Sequence, residues 1–483
     1  MMNQLIGDLM EASGVGFGTS GARGLVEQMT DELCYAYTSA FLQAVSSNGE
    51  KFEQVVLGHD LRPSSPAIAR ACATAITDAG LEVVYAGALP TPALALYAAK
   101  THSPAIVVTG SHIPFDRNGI KFYRAEGEIT KADEEAIRNA VVTIPDPLVV
   151  IELPLLSREA GDDYISRYPD FFGDQSLAGM RIAIYEHSSV ARDLLHVILD
   201  SMGAEVISLG RTDQFVPIDT EAVRPEDIEQ ARLWAQENNF DALLSTDGDA
   251  DRPLIGDEQG NWFRGDDVGV LCARYLQANI VVTPVNSNTS VEKSRWFEKV
   301  VRTRIGSPYV IEGMETAATE YKGVAGYEAN GGFLLGSDIE REGCTLTALP
   351  TRDALLPMLA LLCMAKERGI RLSELPETLP SRFTASDRMQ NLPTEQSRPL
   401  IESLNNNREQ AAALLAPESG AVSAIDLTDG FRVTFENGEI VHLRSSGNAP
   451  ELRCYAEADT PVRARELCQS CLSRVRAISL EKE

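Results

Sequence analysis

Asp247-Gly248-Asp249-Ala250-Asp251-Arg252 places three carboxylates on alternate residues and a guanidinium directly after them. Hard oxygen donors at that spacing favour Mg²⁺ or Ca²⁺ over zinc, and the following arginine suits a phosphoryl group held by the same cation. The preceding segment, Phe240 to Thr246, reads as a short buried strand. The acidic loop is therefore expected at a strand's carboxyl end, where open α/β sheets collect ligands. Two other readings of these residues stand beside this one. Asp247, Asp249, Asp251 and Glu258 fall at the first, third, fifth and twelfth places of an EF-hand calcium loop, although Arg252 occupies the place of its turn glycine. An ordinary acidic turn is the third reading.

Four further motifs carry reactive or ligand-binding side chains. Thr109-Gly110-Ser111-His112-Ile113-Pro114 follows an apolar run, and Asn118-Gly119-Ile120-Lys121 comes soon after. A serine hydroxyl, an imidazole and an ammonium suit a nucleophile with acid–base support, or a turn serine beside a loop histidine. The motif is not the Gly-x-Ser-x-Gly elbow of α/β-hydrolases. Phe17-Gly18-Thr19-Ser20-Gly21-Ala22-Arg23-Gly24 combines flexible backbone, hydroxyls and Arg23, a composition suited to an oxyanion or to a plain entry loop. In Gly326-Tyr327-Glu328-Ala329-Asn330-Gly331-Gly332, Glu328 and Asn330 suit vicinal sugar hydroxyls, or any solvated turn. Arg444, Ser446, Gly447, Asn448 and Arg453 leave an apparent hairpin in a pattern that can wrap a phosphate; a hairpin end with charged flanks is the alternative.

The elements that must position these motifs follow from periodicity. Apolar runs at 54–58, 81–85 and 105–109 alternate with helical patterns at 65–80 and 92–100, a β-α-β-α-β order that predicts a mostly parallel sheet. The order returns from Arg181 to Thr246, and again from Trp262 through a helix at 267–278, a strand at 279–283 and Gly323 to Gly326. After about Leu375 the composition turns polar. Phe431 to Phe435, Asn437-Gly438 and Ile440 to Arg444 then read as a hairpin, and Val462 to Ile478 as a terminal helix. The expected architecture is three related mixed α/β domains, 1–155, 156–257 and 258–372, with a smaller α+β domain, 373–483, around a central active-site cleft.

Composition limits the partners. A formal charge of −27 on 483 residues argues against nonspecific binding to nucleic acid or an anionic membrane, so an anionic ligand requires basic residues gathered locally. There is no apolar run of membrane-spanning length and no secretory signal pattern at the start, which makes the cytoplasm the expected location. The eight cysteines are scattered among apolar neighbours and read as reduced, packed thiols. Cys468-Gln469-Ser470-Cys471 lacks a second Cys or His pair that would complete a zinc site.

Taken together in order and spacing, TGSHIP with NGIK, STDGDADR, GYEANGG and RSSGNAPELR resemble the α-D-phosphohexomutase superfamily over nearly the whole chain. The resemblance implies reversible phosphate transfer between positions 1 and 6 of a hexose through a hexose 1,6-bisphosphate intermediate. It favours mannose phosphate, with phosphoglucomutase and phosphoglucosamine or N-acetylglucosamine phosphate mutase as alternatives. Ser111 matches the family's phosphorylated serine, whose phosphate with Asp247, Asp249 and Asp251 is implied to bind Mg²⁺. His112, Lys121, Arg23 and Arg252 match groups that support proton transfer and charge. Glu328 and Asn330 fall in the sugar loop, Gly306 and Ser307 in another substrate loop. Arg444, Ser446, Gly447, Asn448 and Arg453 fall in the phosphate loop. Three positions depart from the common pattern: Ile113 replaces an Asn, Asn448-Ala449 replaces Thr-Glu or Thr-Thr, and Gly332 stands where several relatives carry a histidine. A calcium-binding or sugar-phosphate-sensing protein and a phosphatase are the rival functions. A phosphosugar substrate and a monomer or homodimer are expected.

Overall fold

Val55, Val56 and Leu57 are wholly buried in the strand Gln54–His59, as expected of a strand covered by helices on both faces. The computed structural model describes residues 2–18, 21–390, 392, 394–445 and 451–480. In its first sheet, Gln54–His59 lies between two parallel neighbours, Glu82–Ala88 and Ala105–Val108, and the latter pairs antiparallel with Arg117–Arg124. Glu205–Leu209, Arg181–Tyr185, Ala242–Thr246 and Pro253–Asp257 repeat that arrangement. So do Lys299–Thr303, Ile280–Pro284, Val324–Tyr327 and Phe333–Leu335. Each unit thus orders its strands second, first, third, fourth, with the fourth reversed. The fourth strands explain why the sheets are mixed rather than parallel throughout.

The consequence for function is positional. In every unit the loop between the third strand and its reversed neighbour carries one of the motifs: Thr109 to Pro114, Asp247 to Arg252, and Glu328 to Gly332. All three leave the carboxyl end of a third strand, the side on which open α/β sheets bind ligands.

One apolar core runs through all three units. It joins Leu94 and Tyr97 of the helix Thr91–Thr101, Tyr164 and Tyr168 of Glu159–Phe172, and Leu355 to Ala365 of the helix Leu355–Arg368. The last helix is apolar all round, as a helix enclosed by neighbouring elements must be. The carboxyl-terminal sheet, in the order Phe383–Gln390, Glu451–Ala458, Ile440–Ser445, Phe431–Phe435 and Val422–Asp426, is antiparallel and has its own separate core against the helix Pro461–Leu480. Cys468 and Cys471 are buried in that core, and the Cys468 thiol donates to the Cys454 carbonyl at 3.4 Å, a packing role. Polar contacts link this domain to the third unit, among them Arg264 Nη1 to the Thr384 carbonyl at 2.8 Å and the Ile305 amide to Asp429 at 3.0 Å. No helix among the described residues is long and apolar enough to cross a membrane.

Asp353 shows how the second and third units are locked. Its carboxylate accepts from the Tyr164 and Tyr168 hydroxyls, both at 2.7 Å, and from the Leu355 amide at 3.0 Å at the start of the enclosed helix. Removing a donor leaves a buried carboxylate oxygen unpaired, at a cost of about 1–3 kcal/mol. Tyr168→Phe is therefore expected to lower the unfolding free energy by that amount, read as a lower urea-unfolding midpoint at unchanged m. An unchanged midpoint would show that the hydroxyl adds nothing to the junction.

Candidate active site

The strand Ala105–Val108 runs into Thr109, Gly110 and Ser111, and Ser111 adopts a left-handed φ of 54°. That conformation costs a residue with a Cβ of order 1–3 kcal/mol and persists only where its surroundings hold it. Here Arg62 does the holding. It is 1% exposed, and every N–H of its guanidinium has an acceptor. Nε donates to Asp60 at 3.1 Å, Nη1 to the carbonyls of Pro114 and Arg117 at 2.7 and 2.9 Å, and Nη2 to those of Ser111 and Ile113 at 2.9 and 2.6 Å. A Cβ on residue 110 would lie 2.6 Å from Arg62 Cζ, so glycine is required there. Asp60 also accepts from the Thr109 hydroxyl at 2.8 Å, and Phe215 of the second unit lies 4.0 Å from the guanidinium carbon.

Held in this way, the Ser111 hydroxyl donates to Asp247 Oδ2 at 2.6 Å. Asp247, Asp249 and Asp251 are 0–1% exposed, and one oxygen from each lies within 4.8 Å of the others. Their remaining oxygens are divided in an ordered way. Asp249 Oδ2 accepts from Lys121 Nζ and the Thr91 hydroxyl, both at 2.6 Å, while Asp251 Oδ2 accepts from Lys121 at 2.6 Å and Arg352 Nη2 at 2.8 Å. Asp249 Oδ1 and Asp251 Oδ1 are buried without a hydrogen-bond partner. Buried carboxylate oxygens demand a partner, and this donor set fits a hard divalent cation. The calcium-loop reading fails on the same geometry. The loop is flanked by strands, and Glu258 turns away to accept from the Ser373 hydroxyl at 2.7 Å.

The electrostatics follow from burying like charges together. Burial and the neighbouring Asp251 and Asp249 push the Asp247 carboxyl well above the usual range. Burial would raise Asp251 too, but Arg352, Lys121 and Arg252 outweigh it and hold that carboxyl far below. Burial disfavours the Lys121 ammonium, yet Asp249 and Asp251 more than offset it and raise its pKa. Arg252 Nη1 donates to His112 Nδ1 at 3.0 Å, and His112 Nδ1 is 3.2 Å from the Ser111 hydroxyl oxygen. Arg252 first, and burial second, hold the imidazole pKa down to about 3, so it is neutral. Arg23, directly opposite Gly119 in the sheet, feels the same carboxylates; burial and Arg252 bring it down to about 10.

The sugar-loop candidates sit beside this cluster. Glu328 and Asn330 are 5% and 6% exposed, and Glu328 Oε2 accepts from Arg352 Nη1 at 3.1 Å. The Asn330 side-chain oxygen accepts from the Gly332 amide at 2.9 Å, closing the loop on itself. Gly306 precedes the helix Ser307–Ala318, and the buried Ser307 hydroxyl donates to Glu128 of the first unit at 3.0 Å. Across the cleft, Arg388, Arg453 and Arg444 stand opposite one another on three adjacent strands, so their side chains share one face of the last sheet. Arg444 pairs with Asp429 at 2.8 Å and Arg453 with Glu451 at 2.9 Å. A cavity of about 420 Å³ lies between His112 and Arg252 on one side and Arg388 and Arg453 on the other. Ser446, Gly447 and Asn448 lie outside the described residues, as do Thr19 and Ser20. A larger groove, of about 1230 Å³, lies beside Tyr35 and Asp78 and contains none of the five motifs.

Fold and site together define an α/β phosphosugar-enzyme architecture, and comparison with known proteins makes the class specific. The phosphoglucomutase/phosphomannomutase α/β/α domains I, II and III match residues 14–146, 162–260 and 264–383, and the family's C-terminal domain matches 400–472. The chain is 48% identical over 470 residues to a phosphomannomutase of Salmonella muenchen, covering 97% of each chain. It is 29% identical over 383 residues to a phosphoglucosamine mutase of Geotalea daltonii, covering 75% of this chain and 80% of that one. In fold it is similar to a phosphoglucomutase/phosphomannomutase family protein of Burkholderia thailandensis, with TM-score 0.73, 18% identity and coverage of 95% and 97%. It is also similar to an Aspergillus fumigatus N-acetylphosphoglucosamine mutase in complex with GlcNAc-6P and magnesium, with TM-score 0.57, 14% identity and coverage of 98% and 99%. The chain belongs to the phosphoglucomutase/phosphomannomutase family, within the α-D-phosphohexomutase superfamily.

Asp60, Arg62, Thr91, Arg352 and Arg388 lie outside the five sequence motifs. Asp60 and Arg62 follow a buried strand, and that position was their available signal; Arg352 and Arg388 lie inside strands and carry none. Arg62→Lys keeps a cation but loses the planar fork that reaches four carbonyls. Amide hydrogen exchange over residues 110–117 is expected to accelerate at least about tenfold, while residues 54–59 stay protected. Unchanged exchange would remove Arg62 from the role of clamp.

Proposed function

We propose that the chain is a phosphohexomutase that interconverts hexose 6-phosphate and hexose 1-phosphate, with mannose phosphate as its substrate, through phosphoserine 111 and a hexose 1,6-bisphosphate. The observation that carries the reading is the Ser111 hydroxyl at 2.6 Å from Asp247, within a buried cluster whose Asp249 and Asp251 keep unpartnered oxygens. Phosphoserine 111 gives its phosphoryl group to the free hydroxyl of a bound hexose monophosphate. The serine O–P bond breaks, a sugar O–P bond forms, and the proton lost by the sugar hydroxyl is balanced by the one the Ser111 oxygen gains. After the bisphosphate turns over, its other phosphate returns to Ser111 and the isomer leaves.

The chain's own residues divide the work. Arg62 and Asp60 hold the nucleophile's loop. Arg252 and Lys121 place positive charge where the transferring group's charge spreads, the principal demand of phosphoryl transfer. His112 is neutral, and its Nδ1, beside the serine oxygen, accepts from Arg252 and so positions that guanidinium at the nucleophile. Glu328 and Asn330 face the sugar, and the row Arg388, Arg453 and Arg444 supports a distal phosphate site able to receive either end. Mg²⁺, held by Asp247, Asp249, Asp251 and the serine phosphate, would supply charge neutralisation on that group. The separate core of the last domain supports a closure that keeps water from phosphoserine. The higher identity to the phosphomannomutase than to the phosphoglucosamine mutase supports mannose over an amino sugar.

The deciding assay combines purified protein, Mg²⁺, a trace of hexose 1,6-bisphosphate and each of mannose, glucose, glucosamine and N-acetylglucosamine 1-phosphate. Mannose 1-phosphate is expected to isomerise with kcat/KM at least about tenfold above the amino sugars, and failure with every substrate would reject the reading. Net phosphate release without isomerisation would make the protein a phosphatase. Ser111→Ala should abolish turnover with the fold intact. Chelation should do the same and Mg²⁺ should restore activity, whereas activity that survives chelation would remove the metal from the reaction.

A further inference from the structure

Arg352 lies on the strand Leu349–Asp353 of the third unit and is 2% exposed. Its guanidinium faces two ways. Nη2 and Nε donate to Asp251 Oδ2 at 2.8 and 3.2 Å, and Nη1 donates to Glu328 Oε2 at 3.1 Å. One cation thus joins the acidic loop of the second unit to the glycine-bounded loop of the third. Lys121 shares Asp251 Oδ2, so that oxygen is fully occupied, whereas Oδ1 accepts no hydrogen bond and has the Arg252 Nε 3.5 Å away. Glu328 has Oε2 committed in the same way, while Oε1 accepts no hydrogen bond among the described residues.

Space completes the constraint. A Cβ added to residue 332 would lie 2.6 Å from Arg352 Cδ and 2.8 Å from its Cγ, well inside van der Waals contact. Both are stem atoms, fixed by the contacts at the guanidinium end, so they cannot swing aside without breaking those contacts. A side chain at 332 and an arginine at 352 exclude one another.

We propose that Arg352 is a positioning residue for both metal and sugar, occupying Asp251 Oδ2 so that Oδ1 is the oxygen that would be offered to a cation, and fixing Glu328 for the substrate, and that Gly332 is the vacancy its stem needs. The sugar half rests on the phosphohexomutase reading above; the metal half does not. Second-layer partners of metal ligands are commonly worth about 10–100-fold in metal affinity or activity. Fork geometry, not charge alone, is what lets one side chain serve two carboxylates.

The test measures Mg²⁺ affinity by calorimetry and kcat and KM for mannose 1-phosphate, with thermal unfolding to confirm folding. Arg352→Ala is expected to weaken Mg²⁺ about 10–100-fold and to raise the sugar KM. Arg352→Lys, which carries the test should the alanine variant not fold, should recover Mg²⁺ affinity while KM stays raised, because a single ammonium reaches one carboxylate only. Gly332→His should impair both properties, and adding Arg352→Ala to it should recover part of the loss. Mg²⁺ affinity and KM both within twofold of wild type in Arg352→Ala would overturn the proposal. A double variant no better than Gly332→His would overturn the spatial exclusion. If the wild type isomerises no hexose phosphate yet binds Mg²⁺ in an Arg352-dependent way, the mutase reading falls while the metal role stands.

Discussion

Three carboxylates buried within a few ångströms of one another are the constraint around which the rest of this molecule is arranged. Removing each charge from water costs several kcal/mol, and mutual repulsion adds to it. The cost is met by cations that come from different parts of the chain. Lys121 comes from the first unit, Arg252 from the acidic loop itself, and Arg352 from the third unit. Asp249 also draws on Thr91, at the start of a first-unit helix. The cluster therefore cannot be stabilised by the second unit alone, and the continuous core through the three units is a condition for the site as much as for stability.

A shared topology makes that convergence possible. Each unit places its chemical loop between a third strand and a reversed fourth, and packing the units around one core brings three such loops together. Ser111, the acidic cluster and Glu328 are contributed one per unit. The last domain differs in kind. Its antiparallel sheet has a separate core, and it presents a face of arginines across a polar junction. The acidic cluster thus rests on a shared core, while the arginine row is carried by a domain with a core of its own.

The strongest periodic elements were legible from residues alone. Phe431–Phe435 lies at its expected bounds, and the helix expected over 65–80 differs only at its end. The strand Phe383–Gln390 was missed because its exposed positions, with Asp387 and Arg388 among them, break the apolar alternation of a half-buried strand. The helix Asp31–Ser47, capped by Thr30, precedes the first strand of the β-α-β order and so lies outside that pattern. Among site residues, Ser111, Lys121, the aspartates and Glu328 stood in recognisable loops. Arg62 and Arg352 look, in one dimension, like any arginine after or within a strand.

From sequence alone came the kinds of chemistry available and where along the chain they lie, because loop composition and strand periodicity are local and survive in one dimension. Tertiary structure alone decided which oxygens of Asp249 and Asp251 accept hydrogen bonds and which do not, which cations neutralise them, and why a side chain at residue 332 would collide with Arg352. Those outcomes depend on distances between residues more than a hundred positions apart, such as Lys121 to Asp249 and Asp251 to Arg352. Such distances exist only once burial has forced the charges to find partners.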